Sequence, residues 1–176
     1  MLLSFCRVID TVNEWVGKTS QWLVIPLTLI VTLEVILRYV FERPTLWAWD
    51  VNIMLLGALG VLSGGYILLH KGHVRVDVLV VRLSSRKRAI IELFTVPFFL
   101  LAIGILLWQW VPEAWHSIQT REKFTSVFMP PIYPLKIVIV SGILLLLLQG
   151  VADIVRNIIT LASPKGGDES KTGDSQ

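Results

Sequence analysis

Cysteine is almost absent from this sequence: Cys6 is alone, so no internal disulfide can form and no cysteine-based metal or redox centre is expected. Histidine is scarce too. His70 and His73 close the second of four apolar runs, whereas His116 follows the third, so about 30 Å of hydrocarbon core would separate them. They cannot share one haem iron, and no Cys or facing His completes a metal set around the i, i+3 pair. No cofactor is therefore expected. Ionisable residues are nearly missing from the middles of the apolar runs, which speaks against a charge-based transport or redox path. Internal repeats and paired interrupted half-helices, the usual makings of a transporter's substrate site, are also lacking. Apolar and polar residues do not alternate along the runs, so a membrane β-barrel is disfavoured.

What is present is apolar length. The runs cover about 21–40, 46–69, 89–111 and 133–155, each near the roughly 20 residues an α-helix needs to cross a bilayer. Hydrophobic residues make up 54% of the 176, and mean hydropathy is +0.69, so little chain remains for a second domain. The expected fold is an all-α integral membrane protein: a four-helix transmembrane unit at 20–156, an amphipathic helix at 1–19 and a tail at 157–176. From about 163 the tail is rich in Ser, Gly, Lys and Asp and is expected to be disordered.

The sixteen Lys and Arg residues set an orientation. Eleven flank the first run, fill the loop at 70–88 or follow the fourth run, against five on the other side (Arg38, Arg43, Arg121, Lys123 and Lys136). The positive-inside rule then places both termini and the 70–88 loop in the cytoplasm. Scattered beside membrane segments, these cations suit anionic lipid headgroups and not nucleic acid. Trp15 and Trp22 would anchor the inner interface, and Trp47, Trp49, Trp108, Trp110 and Trp115 the outer one.

At the N-terminus, Phe5, Val8, Ile9, Val12, Trp15 and Val16 recur at helical spacing, with Arg7, Asp10, Glu14 and Lys18 largely opposite. Two placements suit such a helix: on the cytoplasmic membrane face, or against a partner protein. A cleavable signal is not expected, because Arg7 and Asp10 interrupt the apolar stretch. Cys6 reads as a small apolar filler there.

A few charges enter the membrane zone. Glu34 and Arg38 stand i, i+4 on the first run and can pair on one helix face. Asp50 opens the second run and Lys136 the fourth, so a contact between them is geometrically reasonable. In the second run Gly60 and Gly64 form a GxxxG pair that lets helices approach, within this chain or against another. Pro26 and Pro97 are expected to kink their helices. After the second run, Gly72 can end the helix, and Asp77 can cap a short amphipathic helix through Leu83.

Three stretches carry a family resemblance. They are Arg38-Tyr39-Val40-Phe41 with Pro44 and Trp47-Ala48-Trp49-Asp50; Gly72-His73-Val74-Arg75-Val76-Asp77; and Pro131-Ile132-Tyr133-Pro134-Leu135-Lys136 leading to Gly142 and Leu148-Gln149. In order and placement the chain resembles the small membrane subunit, the DctQ type, of tripartite ATP-independent periplasmic (TRAP) transporters. Trp49 departs from the family, which often has an acid there. The resemblance implies a secondary active symport system of the bacterial inner membrane. In it a soluble periplasmic DctP-type protein captures a solute, commonly an organic acid, and a large DctM-type subunit moves it inward with sodium. The small subunit would be a non-catalytic scaffold for the large one, helping to dock the periplasmic protein. Glu34, Arg38, Asp50, Lys136, Gly60 and Gly64 are then candidate structural or partner-contact residues, with His73, Arg75 and Asp77 organising the cytoplasmic turn. Two other classes remain open: the membrane anchor of an oxidoreductase, which needs facing haem ligands, and a self-sufficient oligomeric exporter.

Overall fold

A computed structural model describes residues 2–70 and 85–162, and among them the fold is all-helical. Helix α1 covers Leu2–Ser20, α2 Val24–Tyr39, α3 Ala48–Leu69, α4 Ser85–Thr120 and α5 Tyr133–Ala162. Apolar runs of this length form helices because hydrocarbon offers the peptide groups no partners, so each N–H and C=O must bond within its own segment. Four stretches are long and apolar enough to cross a membrane: Ser4–Tyr39, Ala48–Leu69, Pro97–Thr120 and Tyr133–Arg156.

The first of these joins two helices. A 3₁₀ turn, Gln21–Leu23, links α1 to α2, and Ser20 and Leu23 both keep right-handed helical backbone angles. The tightened turn lies where Pro26 withholds the N–H that would otherwise reach the Trp22 carbonyl. Helix α4, by contrast, runs through Pro97 and Pro112. It ends nine residues beyond Val111, where the apolar run stops, so Trp115 and His116 lie on the helix and not in the loop after it. Small residues explain the extension. Ala114 and Ser117 are buried, so the added turns have a face that packs even though their other residues stand exposed.

A Schellman-type closure ends α4. Glu122 donates its N–H to Ser117 O at 3.1 Å, Arg121 donates to Ile118 O at 3.4 Å, and Arg121 takes the left-handed conformation (φ 47°). The chain then folds back as a narrow hairpin, with Phe124 N–H on Pro130 O (2.8 Å) and Ile132 N–H on Glu122 O (3.0 Å).

Helix α5 is the centre of the bundle. It lies between α3 and α4, while α2 packs on α3 and α1 crosses both α3 and α5. The α3–α5 approach is tightest at Gly142, where a Cβ would stand 2.4 Å from Val61 Cγ1 and 2.9 Å from the Val61 carbonyl oxygen. Only glycine fits. Of the two placements open to the GxxxG pair, a close seam within the chain is not seen: Gly60 has nothing within 4 Å of a built Cβ, and Gly64 only an ordinary contact with Leu146. Gly60 is exposed on α3, whereas Gly64 faces α5 at ordinary packing distance.

Helix α1 packs through an unexpected face. Cys6, Ile9, Asn13, Gly17 and Ser20 are buried, whereas Phe5, Val8, Val12 and Trp15 are exposed. Cys6 fills space beside Ala152 and Ile9. The helix thus packs on its own chain with a small, partly polar face and leaves its large apolar face uncovered.

Candidate functional site

Charge gathers at the two ends of the bundle. At the end bearing the α2–α3 and α4–α5 connections, Lys136 in the first turn of α5 is 7% exposed. Its ammonium donates to Glu113 Oε1 at 2.7 Å and Glu122 Oε2 at 2.5 Å, joining the end of α4, the hairpin and the start of α5. The hydrogen bond from Lys136 is the largest influence holding the Glu122 carboxyl below its usual range. Asp50, 2% exposed on the first turn of α3, accepts from the Ser126 hydroxyl, and Ser126 Oγ in turn accepts from the Met129 N–H at 3.2 Å.

The contact expected between Asp50 and Lys136 is therefore not the one made. Lys136 turns to two carboxylates from α4 and its hairpin, which reach it because α4 overshoots and the hairpin returns. Asp50 is capped by a hydroxyl of the same hairpin. Both buried charges thus fasten one loop across the end of the bundle.

Glu34 and Arg38 are paired. Arg38 donates from Nη2 at 2.6 Å and Nε at 3.1 Å to Glu34 Oε1, while Thr45 donates its N–H (3.1 Å) and its hydroxyl to Oε2. The carboxylate ties the α2–α3 connection to α2. Beside it, a groove of about 430 Å³ opens between α2 and α3.

The opposite end holds a network that the sequence reading passed over. Gln149, fully buried, accepts from Asn13 Nδ2 at 2.8 Å and donates to Asp10 Oδ1 at 3.0 Å. Arg156 then bonds both Asp10 oxygens and reaches Asp153 at 3.1 Å. A buried amide in an apolar run needs partners, and α1 supplies them. The signal was visible: Gln149 is the one polar side chain between Leu144 and Val151. Nearby, His70 at the end of α3 lies 3.3 Å from Glu14, and the two form an ion pair when the imidazole is protonated.

Among the anchoring tryptophans, Trp15, Trp22, Trp49, Trp108 and Trp115 are exposed, whereas Trp47 and Trp110 are half-buried. His73, Arg75, Asp77 and the short helix expected through Leu83 lie outside the described residues, as does the tail from 163.

This arrangement ties helix ends together, and among the described residues it provides no nucleophile–base pair and no group of three metal ligands. Comparison with known families matches residues 27–160, about three quarters of the chain, to the DctQ component of tripartite ATP-independent periplasmic transporters. The chain belongs to the DctQ family. It is thus a small, non-enzymatic membrane component of a TRAP transporter. None of the curated proteins matches the sequence. The DctQ region takes in α2 to α5 with Glu34, Asp50, Lys136 and Gln149, whereas α1, which carries Asn13 and Asp10, precedes it.

Proposed function

We propose that this DctQ component is the non-catalytic small subunit of a sodium-coupled TRAP uptake system for an organic acid or similar solute in a bacterial inner membrane. It scaffolds a large DctM-type subunit and helps dock a DctP-type periplasmic binding protein. Both termini face the cytoplasm, which puts the Lys136 and Asp50 end on the periplasmic side. The distribution of charge supports this reading above all. The ion pairs among the described residues lie toward the two ends of the bundle and serve to fasten helices and loops, which leaves no charged route through the apolar middles for a solute or ion. A subunit without a path of its own contributes by holding another in place. The unburied apolar surface of α2 supports the same role, since none of that helix's residues is buried within the chain.

Reconstitution tests it. Proteoliposomes carrying the large subunit and the binding protein are expected to take up solute only when this chain is also present. Full uptake without it would sink the proposal, as would solute flux through this chain reconstituted alone.

A further inference from the structure

The groove between α2 and α3 has a polar end and an apolar end. Because the helices are antiparallel, the end of α2 meets the start of α3, and Glu34, Arg38, Tyr39, Trp49 and Asn52 line one end of the groove. Leu27, Val31, Ile53 and Leu56 line the rest. From Leu27 to Arg38 the groove follows twelve residues of α2, whose eleven steps of 1.5 Å span about 16 Å. That is about half of the ~30 Å hydrocarbon core, the depth of one leaflet. Its volume of about 430 Å³ falls within the roughly 300–1,000 Å³ of small-molecule sites.

The polar end offers donors. Glu34 spends both oxygens on Arg38 and Thr45, so its charge is neutralised within the pair. Arg38 uses Nε and Nη2 on Glu34, which leaves Nη1 as a further donor on a side chain that is 51% exposed. A guanidinium edge of this kind fits a phosphate. Tyr39 and Trp49 stand exposed beside it, as amphipathic rings do at headgroup level. Asn52, which also lines the groove, has a buried amide oxygen with no hydrogen-bond partner, so the polar end carries an unmet acceptor just behind its surface.

We propose that this groove holds one glycerophospholipid of the leaflet facing the α2–α3 connection, with its phosphate on Arg38 and one acyl chain laid along Val31 and Ile53 toward Leu27 and Leu56. The lipid fills the gap that leaves α2 so lightly packed on α3. A free phosphate would not use the apolar part of the groove. A helix of a partner subunit would use the apolar wall and not the guanidinium.

Native mass spectrometry of the full chain, purified in mild detergent and washed with lipid-free micelles, tests this. Expected is one retained phospholipid per chain. Arg38→Gln, at a position half in solvent, should lower the retained fraction about tenfold, the effect of losing a charged hydrogen bond. Val31→Trp should abolish retention by filling the groove, while Leu29→Trp, on the exposed face of α2 outside it, should leave retention unchanged. Should Val31→Trp fail to fold, Arg38→Gln still decides. No stoichiometric lipid in the parent chain, or equal retention in Arg38→Gln, would overturn the assignment. Loss of the lipid whenever the large subunit is co-purified would overturn it as well, identifying the groove as the seat of a partner helix.

Discussion

Helices α5 and α2 have similar apolar content but opposite situations. Helix α5 lies between two neighbours, is crossed by a third helix, touches α3 through Gly142 and carries two buried polar side chains, Lys136 in its first turn and Gln149 farther along. Helix α2 buries no residue, meets the bundle along one side and keeps its one ion pair half in the open. Hydrophobicity does not separate them, because in a membrane an apolar side chain gains little by leaving lipid for protein. What separates them is steric fit and the need of buried polar groups for partners. Helix α5 is built to be held by its own chain, and α2 is left to lipid or to another subunit.

The strongest way to break the contrast is at Lys136. Glu113→Ala together with Glu122→Ala leaves a buried ammonium without a carboxylate, and removing the partners of a buried charge costs about 3–5 kcal/mol. Unfolding of the detergent-solubilised chain should register a loss of that size. Either single substitution should cost much less, since the other carboxylate remains at 2.5 or 2.7 Å.

Gly142→Leu attacks the same helix by volume. The first added atom collides with the Val61 carbonyl, backbone that cannot rotate away, so α3 and α5 must separate. Overpacking of this kind costs about 1–3 kcal/mol. Cross-linking between cysteines placed on facing positions of α3 and α5 should weaken in parallel with the melting temperature.

These two sites also mark how far the sequence was legible. The helices were plain, because an uncharged run of about twenty residues has no other way to satisfy its backbone. The pairing of Lys136 was not. It depends on α4 continuing past Val111 on the strength of two small buried residues, Ala114 and Ser117, and on a hairpin closed by a non-glycine residue in the left-handed region, and neither has a strong local signal. Asp50 and Lys136, each opening a run at the same level, look like partners until that hairpin comes between them. Gly142 was overlooked for a different reason. A motif draws attention to Gly60 and Gly64, whereas close approach depends on which face of α3 meets α5. Helix α1 shows the same effect. Its apolar stripe was obvious, yet the face that packs is that of Asn13 and Gly17, because Gln149 needs an amide and Tyr66 needs room.

A smaller, pH-dependent effect is expected at Glu122. Its carboxyl titrates below the ordinary 4.5 because Lys136 donates to the ionised form. A depressed carboxylate stabilises the fold above its unfolded pKa, and that contribution disappears as pH falls through the folded value. Melting temperature should therefore drop between about pH 5 and the acid limit, and Glu122→Gln should flatten that part of the profile while lowering the plateau at neutral pH. A slope unchanged in the variant would assign the acid sensitivity to other groups.

On α2 the same chemistry should matter less. Glu34→Gln removes a charge from a pair whose arginine is half in solvent, and such pairs contribute about 0.2–1 kcal/mol. The amide can still accept from Thr45, so the connection should keep its course. The smallest effect of all is expected at Gly60, where a methyl group meets nothing within 4 Å. Gly60→Ala gains helix propensity, so the isolated chain should melt at an unchanged or slightly higher temperature, with at most about 1 kcal/mol of stabilisation. Measured side by side, Gly60→Ala and Gly142→Ala separate a glycine that has only a motif from one that has a neighbour. A loss at Gly60 matching that at Gly142 would mean that the exposed side of α3 is covered by this chain after all, and the division between a self-held α5 and an open α2 side would fall with it.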